Sequence, residues 1–154
     1  MALKRGKKLI NSVATIHDGI SFKSRLEVNC YKLLKEAGIK FKYEPTSYEV
    51  LGSFLFEHNS FERLSNGKGD FINRGEKKVN AITYKPDFVG EGFIIETKGL
   101  RTESFNLRFK LFKKWIQNNS NKKISIYMPQ NIAEIKETIN LILKNKTYGN
   151  PKTN

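Results

Sequence analysis

The sequence is poor in residues that build disulfides and zinc sites. It contains one cysteine, Cys30, and two histidines, His17 and His58, among 154 residues. A single cysteine excludes an internal disulfide, and these separated residues are too few for a structural zinc site. Cys30 lies in an amphipathic stretch, which favours a small buried apolar role over a reactive thiol. We expect His17 and His58 to be surface or structural residues.

Long apolar runs are also missing. No stretch approaches the roughly 20 residues that a membrane-spanning helix needs. The start of the chain is basic, but its apolar run is too short and too polar for a signal peptide. We therefore expect a protein without a membrane partner, located in the cytoplasm, which would be that of a bacterial host if the protein is phage-encoded.

Acidic residues are scarce relative to basic ones. The chain has 28 Lys and Arg against 15 Asp and Glu, a formal net charge of +13. Such an excess predicts a polyanionic partner, with nucleic acid first. The hydrophobic fraction is only 38%, but 11 Phe and 6 Tyr supply bulky core material. The length suits one domain.

Hydrophobic spacing predicts three helices and several strands. Apolar residues at helical spacing in "SFKSRLEVNCYKLLKEAG" predict a first helix, which Gly38 caps. The stretch "SFNLRFKLFKKWIQNN" predicts a second helix with a Phe and Trp core stripe, and "NIAEIKETINLILKN" a third, capped by Asn131 with Glu134. Strands are expected in "IKFKYEP", "VNAITYKPDFV", "GFIIETKG" and "KKISIYM". Residues 57–78 are expected to form a loop or an irregular hairpin.

This order predicts an α/β single domain with a mixed central β-sheet flanked by helices. Residues 1–17 are interpreted as a basic flexible arm, 18–144 as the folded domain and 145–154 as a flexible tail. The segment 52–82 is either a loop that contacts substrate or an extension of a hairpin.

The segment "YKPDFVGEGFIIETKG" carries charges where a strand usually carries Val or Thr. Glu96 and Lys98 are two positions apart on one strand, so their side chains leave the same face. In a tight hairpin Asp87 is diagonal to Glu96 on that face, about 7–8 Å away between backbones. Both carboxylates could then reach one ion. Thr97 is expected to point away from this face.

The predicted register depends on the hairpin loop. If residues 90–91 form a two-residue loop, Val89 pairs with Gly92 and Asp87 stands opposite Ile94. Glycine at the first loop position suits a type II′ turn. A loop of three residues would move Asp87 to the other face and destroy the site.

Two hard oxygen ligands without further protein ligands suit Mg²⁺, which keeps several waters. A metal held by Asp87 and Glu96 can lower the pKa of a bound water and neutralise charge on the leaving oxygen. The backbone carbonyl of Thr97 could be another hard ligand. Lys98 would hold the attacking water and stabilise the negative transition state. A surface strand with a Glu and Lys ladder is the structural alternative.

The motif "PDFVGEGFIIETKG" resembles that of the PD-(D/E)XK nuclease superfamily, with Asp87, Glu96 and Lys98 at its Asp, Glu and Lys positions. The block "FKSRLEVNCYKLLKEAGIKFKYEP" is similar to the first helix and strand of the phage endonuclease I type, which resolves Holliday junctions. The resemblance implies a restriction-endonuclease-like core, with Glu27 completing the acidic cluster. It further implies a Mg²⁺-dependent endonuclease for branched DNA, with Mn²⁺ able to substitute, acting as a homodimer.

Glu27 has two interpretations. Ser24 and Glu27 form the pattern of a capping box, in which the Glu at the third helical position reaches back over the helix start. If the helix instead begins at Phe22, capped by Ser21, that explanation fails. An active-site role for Glu27, directly or through a water, is the favoured interpretation, and both roles are compatible with a helix start aimed at the site.

Basic residues flank the motif. A DNA-binding role is predicted for a set in the arm, just before the second helix and on that helix, namely Lys4, Arg5, Lys7, Lys8, Arg101, Arg108, Lys110, Lys113 and Lys114. The leading hypothesis is junction resolution. A restriction-like or transposase-associated nuclease acting on linear or nicked duplex is the first alternative, and a basic nucleic-acid-binding module without catalysis is the second.

Overall fold

The computed structural model of the protein describes residues 14–148. The fold is α/β, with a mixed four-stranded sheet and three helices, as predicted. The described chain divides into two compact units. Residues 14–45, 86–101 and 122–148 belong to the first unit, and residues 46–85 and 102–121 to the second. None of the helices in the described range is both long and apolar enough to cross a membrane.

The first unit is built on the mixed sheet. Its strands are β3 (Phe41–Tyr43), β10 (Phe88–Gly90), β11 (Phe93–Ile95) and β12 (Ser125–Tyr127), in the order β12-β11-β10-β3. The strand β10 is antiparallel to β3 and β11, whereas β11 and β12 are parallel. One apolar core joins this sheet to the helices α1 (Arg25–Glu36) and α3 (Ile132–Tyr148). Cys30 is fully buried in that core, as predicted.

Helix α1 begins and ends with specific caps. Ser24 is its N-cap, and the Ser24 side chain accepts a hydrogen bond from the Glu27 amide. The alternative start at Phe22 is therefore wrong, because Phe22 belongs to strand β2 (Ile20–Phe22). At the other end the Gly38 amide donates to the Lys35 carbonyl and the Ile39 amide to the Leu34 carbonyl, at 3.0 and 3.1 Å. This pair of bonds is a Schellman motif.

Gly38 has a φ of +67°, as such a cap requires. A Cβ at this position would meet no atom within 4 Å, so only backbone strain opposes a side chain. We expect Gly38→Ala to lower the free energy of unfolding by about 1 kcal/mol. Gly38→Asn should cost less, because Asn tolerates the left-handed region. Urea unfolding of both variants checks this, and an equal cost for Ala and Asn would contradict it.

Two predicted boundaries move. Strand β1 (Thr15–His17) pairs with β2 through the turn Asp18-Gly19, whose φ values are +50° and +74°. Asp-Gly with two positive φ values is typical of a type I′ hairpin, so residues 15–17 of the predicted arm belong to a folded hairpin. Helix α3 continues to Tyr148, so the predicted tail from residue 145 starts too early. The Asn131 cap is confirmed, since its side chain accepts the Glu134 amide at 2.9 Å.

The second unit combines helix α2 (Glu103–Asn119) with strands β4 (Tyr48–Leu51) and β9 (Ile82–Tyr84). The predicted aromatic stripe of α2 lies in its core. The rings of Tyr84 and Phe112 stack with centroids 4.4 Å apart, and Tyr48 packs against Trp115 at 4.7 Å.

The strands β4 and β9 lead into a long irregular hairpin. Beyond their ladder, β5 (Phe54–Phe56) pairs with β8 (Lys77–Val79), and β6 (Phe61–Glu62) pairs with β7 (Ile72–Asn73), always antiparallel. Of the two predictions for residues 57–78, the irregular hairpin is therefore right. We call residues 54–79 the ribbon.

Candidate active site

Asp87 directly precedes strand β10 and is hydrogen-bonded to residues that follow the two neighbouring strands, β3 and β11. Its carbonyl oxygen accepts a hydrogen bond of 2.7 Å from the Glu44 amide, at the end of β3. Its carboxylate oxygen Oδ2 accepts the Thr97 amide at 2.8 Å and the Thr97 hydroxyl at 2.7 Å, just after β11. Only 7% of Asp87 is exposed. The sheet therefore fixes the position of this carboxylate.

The orientation predicted for Thr97 is wrong. Its hydroxyl does not point away from Asp87 but donates to it. The reason is that the Asp87 carboxylate lies beside the Thr97 amide and takes both donors of that residue. Thr97 thus positions a carboxylate through its side chain, and a role for its backbone carbonyl as a metal ligand stays a prediction.

Glu96 and Lys98 follow β11 in extended backbone. The Glu96 amide donates to the Tyr127 carbonyl at 2.9 Å, and the Lys98 amide donates to the Pro129 carbonyl at 3.2 Å. Because alternate amides bond the same neighbouring segment, Glu96 and Lys98 share a face, as predicted. Glu96 is 7% exposed, and Lys98 is partly buried.

The hairpin register differs from the prediction. Gly90 pairs with Phe93 and Val89 with Ile94, so the loop is Glu91-Gly92 rather than residues 90–91. Gly92, with a φ of +75°, takes the second loop position, where a type II turn requires glycine. Gly90 stays in the strand, where a Cβ would lie 2.2 Å from the Phe93 ring.

This shift removes the predicted pairing of Asp87 with Ile94. Both loops have two residues, so the register moves by two positions and the face of each strand side chain is kept. The last pair of the ladder is Phe88 with Ile95, so Asp87 directly precedes and Glu96 directly follows this end of the hairpin. The register that the predicted diagonal arrangement assumed is therefore wrong.

Of the two roles that the sequence left open for Glu27, the structure shows the capping box, and the active-site role stays a prediction. Glu27 is 6% exposed, and its carboxylate accepts the Lys23 amide at 3.0 Å and the Ser24 hydroxyl at 3.2 Å, which closes the start of α1. The Tyr43 hydroxyl donates to the same carboxylate at 2.6 Å. Its charge also acts on Asp87. Because three donors already hold it, these contacts support Glu27 as a positioned charge rather than as a direct metal ligand.

The electrostatics of the site centre on Asp87. Burial raises the pKa of Asp87 to about 6, with the Glu27 and Glu44 charges adding to the rise and the Thr97 bonds opposing it. Burial also raises the pKa of Tyr43, with its bond to Glu27 adding to the rise, so Tyr43 remains a donor at neutral pH. The site thus concentrates negative charge in a poorly solvated place, which favours a bound cation.

Sequence reasoning missed three residues at this site, namely Lys23, Tyr43 and Glu44. The Lys23 ammonium forms an ion pair with Glu44. That bond is the largest cause of the raised pKa of Lys23, and the charges of Glu27 and Asp87 raise this pKa further. Glu44 has a φ of +40°, a strained conformation for a residue other than glycine. Only "YEP", an acid before a proline at the end of a strand, hinted at this.

The donor set suits a cation that needs few protein ligands. Asp87 and Glu96 offer buried carboxylates from neighbouring strands. Within residues 14–148, however, no three His, Cys, Asp or Glu side chains are grouped so that they could hold a metal ion. A pair of carboxylates fits Mg²⁺, which binds through one or two of them and completes its shell with water and substrate oxygens.

The remaining predicted residues form the proposed DNA-binding set. Lys4, Arg5, Lys7 and Lys8 fall outside the described residues. Arg101, in the first unit, is exposed. The set on α2, in the second unit, is exposed as well, namely Arg108, Lys110, Lys113 and Lys114. Their contact with DNA stays a prediction.

The cysteine and the histidines have structural surroundings. Burial raises the pKa of the Cys30 thiol to about 12, which fits the predicted role as a small buried apolar residue. His17 packs edge-on to Tyr31, and His58 edge-on to Phe56, at ring distances of 5.9 and 5.6 Å.

Comparison with known proteins gives a family without an assigned activity. The model of the family described as "Protein of unknown function (DUF1064)" matches residues 7–128, which is more than half of the chain. No curated protein and no solved structure matches the chain.

Proposed function

We propose that this chain, which belongs to the DUF1064 family, is a metal-dependent DNA endonuclease that acts on branched DNA, with the four-way junction as its preferred substrate. The observation that carries the proposal is the pair of buried carboxylates, Asp87 and Glu96, which directly precede and follow the two paired strands at the open end of one hairpin. A lysine, Lys98, follows on the same face as Glu96. The net charge of +13 supports a polyanionic substrate.

A binding module without catalysis accounts poorly for this arrangement. Carboxylates repel phosphate unless a metal intervenes, and their burial is unfavourable by itself, as the raised pKa of Asp87 indicates. A protein that only bound DNA would gain nothing from two such groups. A nuclease gains a cation site, and this gain offsets the cost of burial.

The roles of the chain follow from its contacts. Asp87 and Glu96 would hold Mg²⁺, or Mn²⁺ in its place, and the bound ion would activate water and neutralise charge on the phosphate. Thr97 fixes the Asp87 carboxylate through its two hydrogen bonds. Lys98 would orient the attacking water and stabilise negative charge. Glu27 and Tyr43 hold the start of α1 against the site. The proposed setting is a homodimer in the cytoplasm, because a junction needs two cuts.

The experiment is a cleavage assay on a labelled four-way junction and a linear duplex of the same sequence, each with Mg²⁺ and with EDTA. We expect Mg²⁺-dependent cuts near the branch and an intact duplex. Equal cutting of both DNAs would keep the nuclease and replace the junction with linear or nicked duplex as the substrate. Binding without any cutting in Mg²⁺ or Mn²⁺ would refute the proposal in favour of the binding module.

A further inference from the structure

The ribbon leaves large apolar side chains in water. Phe61 is 59% exposed and Phe71 67%, and their rings lie 6.4 Å apart near its tip. Leu55 and Ile72 are exposed as well. Each of the two ladders of the ribbon has only two strands within the described residues, so no third strand pairs with its edges there. A cluster of exposed apolar groups of this kind marks an interaction surface.

The tip of the ribbon is nevertheless firmly built. The Arg74 guanidinium donates to the carbonyls of Glu62 and Asp70 at 3.0 and 3.1 Å, and that of Arg63 donates to the Gly69 carbonyl at 2.9 Å. These bonds tie its strands and turn together. They fix the backbone next to the two phenylalanines, which lowers the backbone entropy lost when a partner binds.

The ribbon also carries exposed lysines. Across the β5–β8 ladder Leu55 pairs with Lys78 and Phe56 with Lys77, and both lysines are exposed. A surface that carries both cations and exposed rings matches a nucleic acid, whose phosphates take the lysines and whose unstacked bases take the rings.

We propose that the ribbon binds unpaired or unstacked bases of the DNA, with Phe61 and Phe71 stacking on bases and Lys77 and Lys78 contacting the adjacent backbone. This inference rests on the proposed function, because it assigns the recognition of a branch to a part of the chain that carries none of the proposed metal ligands. Base pairs that flank an open branch point lack a stacking neighbour on one side, whereas those of a continuous duplex are stacked on both sides.

The experiment compares affinity for a three-way junction with unpaired bases at its centre and for a matched duplex, by fluorescence anisotropy in EDTA. The protein carries Glu96→Gln to prevent cleavage. Phe61→Ser with Phe71→Ser should weaken junction binding about tenfold or more and change duplex binding less than about twofold. Phe61→Tyr with Phe71→Tyr keeps both rings and should restore junction binding. Leu107→Ser removes a similarly exposed apolar group, 58% exposed, from α2 and should have no effect.

The outcomes separate the two proposals. Junction binding that survives the double Ser variant, or falls equally with Leu107→Ser, overturns the inference and leaves the nuclease intact. If the double Ser variant changes self-association in sedimentation while DNA binding is unchanged, the ribbon is a protein interface and the inference is again wrong. Absence of any DNA binding, together with absence of cleavage by the wild-type protein, refutes the nuclease and the ribbon's role with it.

Discussion

Glu96→Gln should reduce cleavage of branched DNA by roughly 10³-fold while leaving its affinity for DNA unchanged or higher. The substitution keeps the size of the side chain but removes one of the two buried charges proposed to hold the cation. DNA affinity should persist because the lost charge is one that repels phosphate. Single-turnover cleavage and binding in EDTA measure the two effects separately.

The matched control is Glu91→Gln, in the loop of the same hairpin. Glu91 is exposed, and its loss changes the net charge by the same amount. We expect cleavage by this variant to stay within about twofold of the wild-type rate. Cleavage retained by Glu96→Gln, or lost equally in both variants, would contradict the assignment of the metal site.

Asp87→Asn should stabilise the protein in the absence of metal. The pKa of Asp87 in the folded state is about 6, against an ordinary value of 3.8. The folded protein therefore binds more protons than the unfolded chain between these values, so stability falls as the pH rises through this window. The loss in the wild-type protein amounts to about 3 kcal/mol at pH 7. The amide introduced by the substitution has no charge to bury, and its oxygen can still accept from Thr97.

Urea unfolding in EDTA at pH 4 and pH 7 measures this effect. The wild-type protein should lose more stability between these pH values than Asp87→Asn. Asp18→Asn is the control, and it should destabilise the protein. The hydrogen bond from Lys35 lowers the pKa of Asp18, so the charge of Asp18 stabilises the folded state. Adding Mg²⁺ should stabilise the wild-type protein and not Asp87→Asn. A destabilised Asp87→Asn at pH 7 in EDTA would contradict the inferred repulsion.

Local sequence patterns predicted much of the fold and half of the site. Alternation along a strand was enough to place Glu96 and Lys98 on one face, and apolar spacing was enough to locate all three helices. Caps at Gly38 and Asn131 were predictable because they depend on neighbours in the chain. Such features need only local geometry, which a single sequence carries.

The features that failed depend on packing. Either Gly90 or Gly92 could occupy the hairpin loop on sequence grounds. In the structure Gly90 lies in the strand, where the Phe93 ring fills the space that a side chain would need. The ion pair of Lys23 and Glu44 joins residues that are brought together because the start of α1 packs beside the end of β3, where the rings of Phe22 and Tyr43 are in contact. No local pattern encodes that neighbourhood, so the residues that surround Asp87 could not be found in advance.

The bond from the Thr97 amide to Asp87 has a consequence for motion. In a regular sheet this amide would donate to a backbone carbonyl, and its exchange with solvent would report the opening of strands. Here its acceptor is a side chain, so the amide is released whenever the carboxylate turns away, even if the sheet stays closed. The rotation of one acidic side chain can therefore be followed through a single backbone hydrogen.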